Sequence, residues 1–251
     1  MTLLFSLGVL IISFSVIIFR KDYIDEFLSL RYIFLLLIFV LSILLLIFRP
    51  NLVRILLGWD GLGFSSFCLV IFYQNVSSLN SRILTVIRNR FGDGFFLLIL
   101  MFLMMDINLY ITLSKNLDII LFLLITVGSF TKRAQFPFFV WLPIAMAAPT
   151  PISSLVHSST LVTAGIYLLI RFHHLLVIFN FLVILIIGII GFQSGFYAIV
   201  EIDRKKIIAL STLSQLRIIS IGLFMNLWKQ AFFHLITHAL FKSILFISMG
   251  I

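Results

Sequence analysis

Seven ionisable side chains, Asp60, Asp93, Lys132, His157, His234, His238 and Lys242, sit inside stretches of sequence that are otherwise apolar. Each costs roughly 2.5–3.5 kcal/mol at the centre of a membrane helix on insertion scales. A partner, a water-filled cavity or a function must offset that cost. The chemistry these residue types share is the uptake and release of protons. His234, His238 and Lys242 recur at i, i+4 and i+8, one stripe on one helix with about 6 Å of rise per step. Histidine changes charge near neutral pH, so the stripe reads as a relay. A polar seam against another subunit is the alternative, although a seam does not need ionisable groups. Two histidines four apart also share a face for a metal ion, but no third ligand lies near in sequence.

Lys132 lies deep in its apolar run, in Thr131-Lys132-Arg133-Ala134-Gln135, with Pro137 and Pro143 following. A proline removes a backbone donor and frees a carbonyl, so a broken helix is expected between Lys132 and Pro143. Broken helices are tolerated at membrane depth where they line a cavity. A lysine there can exchange its proton, and it is too deep to snorkel. Asp60 sits in Gly58-Trp59-Asp60-Gly61-Leu62-Gly63. It reads as a proton-carrying acid or as a carboxylate tied to a neighbouring helix, and its three glycines permit close helix approach. Arg90 and Asp93, three apart, share a helical face, either as a local salt bridge or as part of the function. His157 is flanked by Ser153, Ser154, Ser158, Ser159 and Thr160. Those hydroxyls could hold waters in a proton wire, whereas a lone histidine is more often simply packed. His173 and His174 fall at a span end and read as interfacial.

The elements that position these groups follow from composition. The 251 residues are 62% hydrophobic and 11% charged, against about 45–50% and about 25% in soluble domains. A soluble enzyme, a disulfide scaffold and a disordered tail are excluded; an all-α integral membrane protein remains. Nine stretches reach about the 20 residues that cross a 30 Å core: 2–19, 32–48, 51–73, 83–105, 118–142, 152–172, 175–200, 206–225 and 229–251. The runs are continuous and about twice the length of a barrel strand, so strands are not expected. The first run has neither a cationic lead nor a cleavage site and reads as a retained span. One cysteine, Cys68, excludes an internal disulfide, and no zinc spacing, Walker A loop or GxGxxG turn occurs, so no metal or cofactor is expected on this chain. The net charge of +9 is scattered through the apolar runs rather than gathered on a polar face, which argues against nucleic acid. Arg20, Lys21, Arg31, Arg82, Arg204, Lys205 and Lys206 fall at one side of the membrane; Arg49, Lys115, Arg171 and Lys229 fall at the other. That bias puts the first group inside and the N-terminus outside.

Five segments carry a family resemblance: LLGWDGLGFSSFCLVIFYQN from Leu56, NRFGDGFF from Asn89, TKRAQFPFFVWLPIAMAAPTPISSLVHSSTLVTAGIYLLIRFH from Thr131, DRKKIIALSTLSQL from Asp203 and FFHLITHALFKSILF from Phe232. With them the chain resembles the subunit 5 family of the proton-pumping NADH:ubiquinone oxidoreductase of mitochondria, respiratory complex I, most closely its arthropod versions. The resemblance implies a role for each matched residue. Asp60 pairs with the broken-helix lysine, Lys132 is the central proton carrier, and His157 passes protons onward. His234, His238 and Lys242 belong to the helix linking two half-channels, Asp93 lies near the same route, and Lys205 and Lys206 are a matrix-side pair. It further implies the mitochondrial inner membrane, subunit 4 and other membrane-arm subunits as partners, and NADH, flavin, iron–sulfur and ubiquinone sites on other chains. The large subunit of an Mrp-type cation/proton antiporter shares the lysine and histidine pattern and is the alternative. A passive structural subunit is the third reading.

Residues 1–251 are expected to form one antiporter-like transmembrane domain, shortened at both ends relative to the family. Arg54, Arg88, Arg133 and Arg217 also lie within spans, where the resemblance implies serine, or glycine at the last. Unpaired, the four would cost on the order of 10 kcal/mol. Invertebrate mitochondria read AGA and AGG as serine, so decoding by the standard code accounts for all four.

Overall fold

A computed structural model describes residues 1–24, 26–48, 51–72, 76–105, 115–135, 138–139, 141–146, 149–173 and 180–250. Helices occupy each of the nine predicted stretches, and no strand occurs among the described residues. They are α1 (Thr2–Tyr23), α2 (Glu26–Phe48), α3 (Leu52–Val70), α4 (Val76–Met105) and α5 (Lys115–Lys132). A short α6 (Trp141–Ala145) follows. Then comes one composite helix, built from α7 (Thr150–Ile152), a π-helical segment (Ser153–Thr160) and α8 (Leu161–Arg171). Finally come α9 (Asn180–Val200), α10 (Arg204–Phe224) and α11 (Trp228–Ser248). Six of these are long and apolar enough to cross a membrane by length and composition alone.

The composite helix is the axis of the bundle. Its apolar stretch is buried throughout, whereas no more than 56% of the corresponding stretch of any other candidate span is buried, among the described residues. α1, α5, α10 and α11 pack around it, and α2, α3, α4 and α9 lie outside them. Outward-facing Leu3, Phe14, Phe34, Phe64, Phe91 and Phe233 give the bundle an apolar exterior. In lipid such surfaces supply no hydrophobic force between helices, so close packing must hold them. Glycine provides it: a Cβ on Gly58 would stand 2.7 Å from the Leu46 nitrogen, one on Gly61 3.0 Å from Ser42 Cβ, and one on Gly92 2.2 Å from Thr131 Oγ1. The chain ends also sort as the loop charges require. Gly250 touches both Phe19 at the end of α1 and Thr150 at the start of α7, and Met249 lines a cavity with Arg204, Lys205 and Lys206. These ends therefore share one face.

The helix break falls earlier than the prolines suggest. α5 stops at Lys132, Arg133 is its cap, and Ala134 takes a left-handed φ of 53°. Gln135 N–H then bonds back to Phe130 O at 3.2 Å. That six-to-one bond around a left-handed residue is a Schellman stop. Pro137 lies outside the described residues, and Pro143 sits within α6.

Candidate functional site: two buried charged clusters joined by a π-helical segment

Three helices converge on Lys132. The Schellman stop places it in the last turn of α5, where the helix dipole favours a cation. Its side chain is fully buried. The ammonium donates to Trp59 O on α3, and lies 4.0 Å from the centroid of the Trp59 ring. Trp59 packs on Phe96 of α4 at 4.6 Å, which fixes the ring beneath the ammonium. Asp93 of α4 and Asp60 of α3 both interact electrostatically with Lys132. Asp93 is buried, Asp60 half-buried. Arg90 approaches Asp93 at 3.7 Å, while its own side chain is 69% exposed. Spacing alone left a local salt bridge and a functional cluster open for Asp93; the structure gives it a loose Arg90 contact and an electrostatic interaction with Lys132.

The second cluster lies between α10 and α11. Lys242 Nζ donates to Ser211 Oγ at 2.7 Å. One turn earlier, His238 is buried, with no hydrogen-bond partner for either ring nitrogen among the described residues. His234, a further turn away, is half-buried. The three therefore lie on one face of α11 as the spacing predicts, and Lys242 reaches α10 through Ser211. Among the described residues, no three His, Cys, Asp or Glu side chains gather as metal ligands.

Between the clusters stands the π segment, which touches α11 and α10, while its continuation α8 packs on α5. π turns are frequent at functional sites. His157 falls on this segment, but its side chain is outside the described residues, as is His174. The neighbouring hydroxyls are engaged with backbone. Ser153 donates to Thr150 O, Ser159 to Leu155 O and Thr160 to Leu155 O, at 2.9, 2.9 and 2.6 Å. Among the described residues these hydroxyls donate to carbonyls rather than to one another. Any wire here would run through their lone pairs and added water.

Two residues of the site escaped the sequence reading. Trp59 supplies a carbonyl and a ring face to Lys132; its adjacency to Asp60 was the available signal. Ser211 holds Lys242, and nothing in its own neighbourhood marked it. The four span arginines divide. Arg54 is exposed, Arg217 is buried, and Arg88 is not unpaired: it donates to Phe138 O and lies over the Phe138 and Trp141 rings. Arg133 is fully buried with no hydrogen-bond partner for any guanidinium nitrogen among the described residues.

Residues 50–251 match the family model described as "NADH:quinone oxidoreductase/Mrp antiporter, TM". The chain belongs to this family. Among its relatives, proteins named NADH-ubiquinone oxidoreductase chain 5 from Anopheles arabiensis and Locusta migratoria are 49% and 50% identical over the whole chain, which spans 67% and 45% of their lengths. The nematode Caenorhabditis elegans has a chain 5 that is 44% identical, of which this chain spans 48%. The chain thus spans about half the length of most of these relatives. An Mrp complex structure from Dietzia superposes on 99% of the chain with a TM-score of 0.89 at 28% identity, using 29% of that partner chain. The archaeal membrane-bound sulfane sulfur reductase shares the fold, with a TM-score of 0.82 at 20% identity. The antiporter-like, all-helical membrane fold and the resemblance to chain 5 therefore stand.

Proposed function

We propose that this chain is the antiporter-like part of a chain 5 subunit of mitochondrial NADH:ubiquinone oxidoreductase, and that it carries protons across the inner membrane. One observation carries the reading: a fully buried lysine at the end of a broken helix, within electrostatic reach of two acids, Asp60 and Asp93. Carboxylate charge on α3 and α4 favours an ammonium in that position. When Asp60 moves away or is neutralised, Lys132 releases its proton toward His157, and His238, His234 and Lys242 continue the path. Redox chemistry on other subunits supplies the energy, NADH, flavin, iron–sulfur clusters and ubiquinone being bound there. Subunit 4 and the other membrane-arm subunits are the partners in this reading, and residues 1–251 are a single domain of it.

Proton pumping and NADH:ubiquinone turnover, measured together in membranes carrying Lys132→Ala in the intact subunit, test the proposal. Loss of both with normal assembly on native gels is expected. Unchanged pumping with normal assembly would make the lysine structural and overturn it. The superposition on an Mrp complex favours a cation/proton antiporter as the second reading. Co-purification with quinone-reducing activity separates the two.

A further inference from the structure

We propose that the bundle holds an anionic phospholipid at the start of α10, its phosphate on Arg204 and Lys205 and an acyl chain in the adjoining apolar groove. The site lies apart from the proton-transfer residues. Arg204, Lys205 and Lys206 line a cavity of about 680 Å³ with Met146 and Met249 at its side. Asp203 occupies Lys206 at 2.9 Å. No carboxylate pairs with Arg204 or Lys205 among the described residues. Positive charge at this end of a helix is unfavourable, because the dipole presents its own positive pole there. Asp203 also lines the cavity, so three cations face one acid there and the cluster keeps a net positive charge.

A second cavity of about 380 Å³ opens beside the first, walled by Phe139, Tyr197 and Leu210, with Glu201 at its edge. Pro143, Ile144 and Lys206 line both, so a cationic chamber continues directly into a largely apolar one. Phe139 and Tyr197 stack at 6.4 Å and form one wall of the groove. Next along the chain, Ile199, Val200 and Ile202 are 79%, 80% and 92% exposed. Apolar side chains so exposed, immediately before three cations and at the common face of the helix ends, mark the height where acyl chains meet headgroups. A free phosphate would use only the first chamber. A phospholipid uses both, and basic pockets between membrane helices are known headgroup sites. The loop-charge rule accounts for cations on this side of the membrane, but not for their lining a chamber that opens into a groove.

The test uses the full-length protein in its complex, reconstituted in phosphatidylcholine vesicles with and without phosphatidylglycerol and then examined by native mass spectrometry. Preferential retention of phosphatidylglycerol is expected. Each surface cation contributes about fivefold in affinity, so Arg204→Gln/Lys205→Gln should weaken retention roughly thirtyfold. Ile144→Asp, which puts charge in the groove, should also lower it. Lys229→Gln, at the opposite face, should leave it unchanged. Equal retention of phosphatidylcholine, full retention by the double variant, or displacement of the lipid by inorganic phosphate would each overturn the proposal.

Discussion

Gly92→Ala is the sharpest perturbation of the Lys132 cluster that leaves every charged group in place. The added methyl would sit 2.2 Å from Thr131 Oγ1 and 3.2 Å from Thr131 Cβ. Thr131 cannot readily swing aside, because it is fully buried and its hydroxyl donates to Gly128 O at 2.7 Å. α4 and α5 must therefore part, at an overpacking cost of about 1–3 kcal/mol. The residues next to the collision are Asp93 and Lys132, so the same displacement draws the carboxylate from the ammonium. Thr131→Ala alone loses a buried methyl and a local hydroxyl contact and should cost about 1 kcal/mol. In the double variant the 2.2 Å collision disappears and only the 3.2 Å approach remains. The cycle should then show about 1–2 kcal/mol of coupling. Thermal stability of the assembled complex on native gels reads the first quantity, and pumping per NADH oxidised reads the second. Gly92→Ala should lower both, and Thr131→Ala should restore most of each. A fully active, fully stable Gly92→Ala protein, or a double variant no better than the single, would refute the packing argument.

Ser211→Ala removes the hydroxyl on Lys242, a bond to a charged group worth about 1.5–3 kcal/mol; pumping should fall while electron transfer in uncoupled membranes persists. Gly58→Ala drives a methyl to 2.7 Å of the Leu46 backbone and should destabilise the α2–α3 pair, whereas Gly94→Ala, with nothing within 4 Å, should raise stability by about 0.5–1 kcal/mol through helix propensity; thermal unfolding of both compares them. At position 133, peptide mass spectrometry of the mature protein should find serine. A version decoded with arginine should be less stable than its Arg133→Ser counterpart by at least about 2 kcal/mol, since three buried guanidinium nitrogens lack acceptors. An arginine mass there, with no gain from Arg133→Ser, would refute the decoding argument.

Apolar run length was sufficient to place all nine long helices, because each must satisfy its own backbone across lipid. Asp60, Asp93 and Lys132 were each conspicuous as charges in apolar surroundings. Their convergence followed from the family resemblance and not from spacing, since it depends on how α3, α4 and α5 cross. The glycines around Asp60 suggested close approach, and the crossings use them: Gly58 meets Leu46, and Gly61 meets Ser42. The stripe of His234, His238 and Lys242 followed from period alone. Ser211 did not, because a serine carries no signal of what faces it across a helix pair. The helix break was expected between Lys132 and Pro143, and α5 ends at Lys132, at the start of that range. Prolines were its visible cause in sequence, yet the turn that ends α5 closes before either.

That turn has a consequence for where the break is encoded. Ala134 is a good helix former, and in the left-handed region it bears about 1–2 kcal/mol of conformational strain that glycine would not. Its own preferences favour another helical turn. It is fully buried, and the neighbours that enclose it keep it where it is. The left-handed turn at Ala134 is thus held by its tertiary surroundings, while Pro137 in the sequence limits how far a helix could continue. Excised as a peptide covering residues 115–135 and placed in lipid, the segment would run as uninterrupted helix through Ala134, and the lysine would lose the end position that the assembled bundle gives it.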